Sequence, residues 1–288
     1  MSVFAYFGPA GTFTEMALDQ LLSDRLPDGL AGGTVAERIA APNPAAAIDM
    51  VRRGEADFAC VPIESSLEGS VPATMDALTP DAGAGRVQVY AEVILDIAFT
   101  IAARRALDAD EVRTIAAYPV ASAQVRVSIE KRYPAAQFRL AASNAAAAQD
   151  VRDGVADAAV TTPPAAALNG LVPIAENISD AADAVTRFVL VGRPARSPAR
   201  TGADRTSVIL DLTNEPGSLM AAMNEFASRG IDLTRIESRP RKAMPADNST
   251  SGKYWFFLDA VGHIDDDAVG EALRALYRRC DRVVFLGS

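Results

Sequence analysis

Over roughly the first two thirds of the chain, short apolar runs alternate with stretches whose apolar positions recur at helical spacing. Val3–Phe7 reads as a strand, Gly8-Pro9-Ala10-Gly11 as a turn, and a helix is predicted from about Thr14 to Leu22. A second helix, Ala45–Arg53, stops at Gly54, a residue type suited to the left-handed turn that ends helices. Phe58–Val61 then reads as a short buried strand and Glu92–Ala102 as one long strand. Helices are predicted at Ala121–Arg132 and Ala145–Arg152, and strands at Ala158–Thr161 and Arg187–Val191. Such alternation predicts mostly parallel sheets covered by helices.

The pattern also repeats. Val51-Arg52-Arg53-Gly54-Glu55-Ala56-Asp57 returns 100 positions later as Val151-Arg152-Asp153-Gly154-Val155-Ala156-Asp157. An alanine-rich run precedes each copy, and an apolar run ending in proline follows each. A helix–glycine–strand unit used twice predicts two similar lobes with a ligand cleft between them. The expected division of residues 1–194 is a first lobe of about 1–78 and 178–194 and a second of about 79–177.

Arg193–Arg205, with two prolines, a glycine and no apolar periodicity, reads as a linker centred on 195–205. Beyond it, over residues 206–288, the order becomes β-α-β-β-α-β. The strands are Ser207–Asn214, Asp232–Ser238, Tyr254–Val261 and Val283–Leu286, with a polar loop at Arg241–Lys253. The helices are Gly217–Ser228 and Ala268–Arg279, the latter with Leu273, Leu276 and Tyr277 expected on its apolar face. This is a ferredoxin-like arrangement.

Composition narrows the classes of function. The net charge of −9 divides into −7 over residues 1–200 (17 basic, 24 acidic) and −2 over the rest (11 basic, 13 acidic), which argues against a nucleic-acid partner. No uncharged apolar stretch approaches the ~18–20 residues of a membrane span. The N-terminus has no basic region and runs directly into a strand, which predicts a cytoplasmic location. Cys60 and Cys280 are expected as reduced thiols. The single histidine, His263, makes a Ser-His-Asp hydrolase a poor fit and is expected on a surface loop.

Four segments carry candidate chemistry, three of them at strand ends, where ligands collect in open parallel sheets. Gly8–Glu15 offers two glycines and exposed N–H groups at a helix start, which favour an anion; it could equally be an ordinary turn with Thr14 as helix cap. Pro62–Val71 brings Glu64, Ser65, Ser66 and Glu68 after a buried strand, where Ser65 and Glu68 could also be a capping box. Ser143-Asn144-Ala145 heads the second repeated helix, where it could be no more than a cap. Thr186-Arg187-Phe188 places a hydroxyl beside a guanidinium able to grip a carboxylate.

Together, the order and spacing of these segments resemble the prephenate dehydratase family. The matching pieces are Gly8-Pro9-x-Gly11-Thr12-Phe13, Val61-Pro62-Ile63-Glu64-x-Ser66-x-x-Gly69-x-Val71, Pro119-x-Ala121-x-Ala123-Gln124, Ser143-x-Ala145-Ala146-Ala147 and Thr186-Arg187-Phe188-x-Leu190. In the last module, Asn214-Glu215-Pro216-Gly217-Ser218-Leu219 and Glu237-Ser238-Arg239-Pro240 resemble the phenylalanine-binding motifs of the family's regulatory ACT domain. Three positions depart from the family pattern: Ser65 and Asp183 stand where asparagine is usual, and Tyr118 where histidine is common.

The resemblance implies a two-lobed catalytic domain like a periplasmic binding protein, followed by an ACT domain, in the monofunctional form of the enzyme. It implies decarboxylating dehydration of prephenate to phenylpyruvate, feedback control by L-phenylalanine, and a homo-oligomer (dimer or dimer of dimers) paired through ACT domains. No cofactor, metal, nucleic-acid or membrane partner is expected. Thr186, Arg187 and Ser66 take the catalytic roles, with Thr186 as proton donor or hydrogen-bond partner to the leaving hydroxyl and Arg187 as carboxylate anchor. Gly11, Thr12, Phe13, Glu64, Ser65, Gln124, Ser143, Asn144, Thr162 and Phe188 would bind substrate. Asn214, Pro216, Gly217, Ser218, Leu219, Glu237, Ser238 and Arg239 would hold phenylalanine. The added charge of Asp183 should weaken binding of a dianion unless Arg187 or another neighbour neutralises it. Arogenate as substrate, or a catalytically silent sensor of an aromatic metabolite, remain the alternatives.

Overall fold

The doubled helix–glycine–strand unit builds two lobes, each around its own sheet. The structure, a computed structural model, describes residues 2–23, 37–80, 85–181, 183–241 and 253–288. The predicted loop Arg241–Lys253 lies mostly outside the described residues. The first lobe comprises β1 (Val3–Phe7), α1 (Phe13–Ser23), β2 (Glu37–Ala41), α2 (Pro44–Arg53), β3 (Phe58–Ser65), β4 (Gly69–Ser70), α3 (Pro72–Leu78) and β5 (Gln88–Asp96). The second comprises β6 (Thr100–Ala103), β7 (Thr114–Ala117), α4 (Pro119–Gln124), α5 (Arg126–Arg132), β8 (Gln137–Leu140), α6 (Asn144–Arg152), β9 (Ala158–Thr161), α7 (Pro163–Leu168) and β10 (Val172–Ala175). The chain then returns as β11 (Val185–Gly192), which lies between β5 and β3 in the first sheet.

The two repeat copies perform the same local tasks. Asn43 caps α2 by accepting from Ala46 N at 2.8 Å, and Ser143 caps α6 by accepting from Ala146 N at 3.0 Å. After the glycine stop, Asp57 accepts from the N–H of Val3 at 2.9 Å, and Asp157 from that of Thr114 at 2.8 Å. Each aspartate therefore ties the start of its own strand to the start of the neighbouring parallel strand, β1 in one lobe and β7 in the other.

The C-terminal module is β12 (Arg205–Asp211), α8 (Ser218–Ala227), β13 (Leu233–Pro240), β14 (Tyr254–Val261), α9 (Asp267–Arg279) and β15 (Arg282–Gly287). Its strands run antiparallel in the order β13-β14-β12-β15, as a ferredoxin-like sheet requires. One face is covered by its own helices, where Val208, Leu210, Leu258, Phe226, Leu273 and Leu276 meet. The other face packs on the first lobe: Ile209, Trp255, Phe257 and Val284 share one core with Ile48, Val61, Ile63 and Met75. The sheets even join edge to edge, through the pair Gly287 and Val89.

Several sequence expectations change. Glu92–Ala102 is two strands in two sheets, broken at 97–99 where the chain crosses between lobes; a continuous apolar run cannot show a change of sheet. Residues 88–96 consequently belong to the first lobe. The helix expected over Ala121–Arg132 breaks at Val125, with φ −123° and ψ 7°. A new N-terminus starts there, capped by Asp180, which accepts from Val127 N at 2.9 Å and Ser128 N at 2.8 Å. Tyr277 is exposed, and Ala272 joins Leu273 and Leu276 on the inner face of α9 instead.

His263 is buried rather than on a surface loop. Its Nδ1 accepts from Asp265 N at 3.0 Å, leaving Nε2–H to donate to Pro198 O at 3.0 Å, so it ties down the linker. Both cysteines are free thiols, Cys60 buried and Cys280 half-buried. Among the described residues, no helix is long and apolar enough to cross a membrane, and no group of three acidic, histidine or cysteine side chains is placed to hold a metal ion.

Candidate active site

The predicted motifs meet at one end of the two sheets, where parallel strands β1, β3, β7, β8 and β9 finish and β11 starts. After β1, the loop from Gly8 to Thr12 is set by its own polar groups. Thr12 Oγ1 donates to Phe7 O at 3.2 Å and accepts from Glu15 N at 3.4 Å, making Thr12, not Thr14, the cap of α1. Glu15 reaches back to accept from Gly11 N at 2.6 Å. Tyr6 is hydrogen-bonded to the same carboxylate; burial first, then the Glu15 charge, pushes its hydroxyl up to about 12, so it stays a neutral donor.

On the neighbouring strands, Thr186 pairs in register with Ser65, and the two share a face with Leu95 of β5. Ser65 Oγ accepts from Leu67 N at 3.3 Å and Glu68 N at 3.4 Å, closing a tight turn into β4 rather than capping a helix. Ser66 Oγ accepts from Val185 N at 3.0 Å and Ser66 N donates to Val185 O at 2.9 Å, so Ser66 holds the strand carrying Thr186. Its hydroxyl proton is still available.

Strand alternation sends Arg187 and Glu64 to the opposite face. There Arg187 is buried and bonded to Glu92 at 2.8 Å and Asp259 at 2.7 Å, with Glu64 at 3.6 Å. The expected role of Arg187 as carboxylate anchor is therefore corrected, since its charge is spent on the side facing the C-terminal module; Glu64 lies on that same face with its carboxylate still partly exposed. Nor can Arg187 neutralise Asp183, which is solvent-exposed. Phe188 is a core residue, packed with Phe4, Leu18 and Leu190, and offers no surface to a ligand.

The second lobe supplies the opposite wall. Ser143 caps α6, and the side-chain oxygen of Asn144 is buried without a hydrogen-bond partner among the described residues. Asn144 O accepts from Thr161 Oγ1 at 2.7 Å. Half-buried Gln124 ends α4, its carbonyl accepting from Asp180 N at 2.8 Å. Thr162 does not have the expected ligand role: its fully buried hydroxyl donates to Gly11 O and accepts from Ala165 N at 3.1 Å, latching the lobes together. Phe13 bridges the lobes too, edge-on to Phe99 with ring centroids 5.5 Å apart.

At Gly11 the backbone has φ +83°, and an added Cβ would lie 2.8 Å from the Cα and Cβ of Ala165. Gly11→Val is therefore expected to wedge the lobes apart and raise KM about 10-fold or more, on the order of 1.4 kcal/mol. Steady-state kinetics checks this, and an unchanged KM would show that the lobes need not meet here.

A family model described as prephenate dehydratase matches residues 4–196. A protein from Mycobacterium tuberculosis (strain H37Rv) named prephenate dehydratase is 52% identical over 99% of this chain and 85% of its own length. The chain belongs to the prephenate dehydratase family of hydro-lyases. A solved structure of prephenate dehydratase from Arthrobacter aurescens in complex with L-Phe superposes with a TM-score of 0.85 at 40% identity, covering 99% of this chain and 89% of that one. A structure described as GqqA, a novel type of quorum quenching acylase, gives a TM-score of 0.81 at 28% identity over 99% and 96% of the two chains.

The family-model match ends before the C-terminal module, which the full-length relatives cover; its candidate ligand residues fall into two groups. Asn214, Pro216 and Gly217 are exposed and Ser218 and Leu219 half-buried, in a loop where Gly217 takes φ 87° at the start of α8. Exposed Ser238 sits near the end of β13, which runs parallel to β12 across β14 and so finishes at the same end as that loop. Glu237 and Arg239 instead face the first lobe. Ser70 Oγ donates to Glu237, and Arg239 Nε donates to Asp76 at 2.9 Å. Their side chains dock the module, which corrects their expected place in a phenylalanine pocket.

Sequence reasoning gave no role to Glu15 or Tyr6. The spacing Thr12-x-x-Glu15 is a capping box and could have pointed to Glu15 had Thr12 been read as the cap. Nothing in sequence marks Tyr6, because its role depends on where β1 lies beside α1.

Proposed function

We propose that this chain is a prephenate dehydratase that converts prephenate to phenylpyruvate, and that its C-terminal module is an ACT domain through which L-phenylalanine inhibits it. The observation that carries the reading is Thr186, paired with Ser65 at the end of the first-lobe sheet from which the loop after β1 reaches the second lobe through Gly11 and Thr162. Prephenate bears two carboxylates and a ring hydroxyl. The ring carboxylate leaves as carbon dioxide, the electrons of its C–C bond enter the ring, and the hydroxyl leaves with one added proton as water. One proton is consumed and the ring becomes aromatic.

The protein's task is to hold the dianion and assist the leaving hydroxyl. With Arg187 turned away, the first turns of α1 and α6 supply the N–H groups and dipoles for the carboxylates. Helix α7 cannot do so, because Pro163 and Pro164 lack N–H groups and Ala165 N is already bonded to Thr162. The Thr186 hydroxyl donates to the departing oxygen, acting through position more than acidity. Ser66, Ser143, Asn144 and Gln124 complete the binding surface.

For control, phenylalanine would sit at the 214–219 loop and Ser238. β13 is the outer strand of the module sheet, so a second copy can pair along it. The acylase description of one structural relative has little support here, since the only histidine is buried beside the linker and cannot activate a nucleophile in the cleft.

Mixing the full chain with prephenate should produce phenylpyruvate absorbance, slowed by phenylalanine; no product would remove the reading. Arogenate as a parallel substrate decides between the two dehydrations. Phenylalanine is expected to raise the melting temperature through preferential binding to the folded state. If it changes neither melting nor rate, the regulatory assignment fails.

A further inference from the structure

The least expected contact in the molecule joins the candidate catalytic strand to the C-terminal module. Asp259, in β14, is 0% exposed, and Arg187, in β11, is 6% exposed. Asp259 Oδ2 accepts from Arg187 Nη1 at 2.7 Å and from Arg235 Nε at 2.8 Å, while Oδ1 accepts from Ser207 Oγ at 2.7 Å. Arg187 Nε donates to Glu92, which also accepts from Arg205 at 3.1 Å. Burial alone would raise the Asp259 carboxyl, but Arg235 and Arg187 outweigh it and hold it at about 2, so the pair is ionised near neutrality.

Buried ion clusters add little net stability over apolar packing, so their value lies in fixing geometry. The geometry at stake is local. β3 bulges between the partners of Arg187 and Phe188, and on that side only the pairs Arg187–Glu64 and Thr186–Ser65 continue the ladder, while β5 pairs with the segment from Val185 to Leu190 on the other side. Thr186 thus lies one residue from the start of its strand, on a segment whose firmest side-chain anchor is Arg187. Since successive residues face opposite ways, a shift of the guanidinium toward or away from the module moves the Thr186 hydroxyl with it.

We propose that Arg187 is a positioning residue, a strut by which Asp259 of the docked C-terminal module sets the place of Thr186. The inference rests on the reading of Thr186 as the group that assists the leaving hydroxyl. It makes the module part of the catalytic apparatus even without an effector, and gives any effector that shifts β14 a direct mechanical route to the cleft.

The test uses the full chain with prephenate as substrate and thermal melting as a check on folding. Asp259→Asn should lower kcat by about 10-fold or more with KM within about 3-fold. Glu92→Gln, which removes a partly exposed anchor of the same guanidinium, should lower kcat by about 3-fold. Asp76→Ala loosens module docking at Arg239, away from β11, and should leave kcat within about 2-fold. In a Thr186→Val background Asp259→Asn should have no further effect, since both act on one step; a general loss of folded enzyme would still multiply.

A folded Asp259→Asn protein with kcat within about 2-fold of wild type sinks the inference. So does an equal loss in Asp76→Ala, or multiplying effects in the double variant. Should Asp259→Asn fail to fold, Glu92→Gln decides, and an unchanged kcat overturns the strut. An inactive wild type removes the reading itself, which an active wild type with an indifferent Asp259→Asn does not.

Discussion

Thr186→Val should lower kcat by about 100-fold or more, on the order of 3 kcal/mol of transition-state stabilisation, and leave KM little changed. Valine matches threonine in shape, so the β11 ladder with Ser65 and Leu95 persists and only the hydroxyl is lost. A hydroxyl that meets the departing oxygen interacts more strongly in the transition state than in the bound substrate, so the loss belongs in kcat. The proposed binding surface, from the α1 and α6 termini to Ser143 and Asn144, is untouched by the change and should hold the dianion as before. Near-normal turnover in the variant would refute the role, and a large rise in KM with normal kcat would make Thr186 a binding group only. Thr186→Ser, which keeps the oxygen, should recover most of the rate.

Phe257→Ala is expected to cost about 3–5 kcal/mol of stability. Phe257 is fully buried on the face of β14 that meets the first lobe, in one core with Trp255, Met75, Ile63 and Val61. Truncation removes the transfer free energy of the ring and leaves a cavity where two structural units meet, which neither can close without moving the other. Chemical denaturation followed by tryptophan fluorescence provides the measurement, because the sole tryptophan, Trp255, lies in that same core. A loss below about 1 kcal/mol would mean that the module rests lightly on the lobe. Phe226→Ala, inside the module's own helix-covered core, should destabilise without separating the two units, which makes it the appropriate comparison.

Much of the architecture was legible along the chain because local signals agree with the global fold. The repeat at 51–57 and 151–157 marks two lobes, and its aspartates and glycines do the same work in each. The strand Tyr254–Val261 coincides with its prediction, and helices α2, α6 and α9 lie within about one residue of theirs. Elements such as β7, β8, β10 and α7 escaped notice; at four to six residues they are too short to display a period.

At the candidate site, sequence by itself picked out segments that the fold places at strand ends, because glycine turns, hydroxyls and helix starts recur there in order. It could not say which way each side chain points. Thr186 and Arg187 are neighbours in sequence, yet strand alternation gives one to the cleft and the other to a buried ion cluster with Asp259, 72 residues away. Thr162 and Gly11, separated by 151 residues, become an interlobe latch for the same reason. Pattern along a chain determines elements and their order. The partner of a charge is decided only when sheets from distant segments pack, since a buried guanidinium must find its carboxylate wherever the fold has placed one.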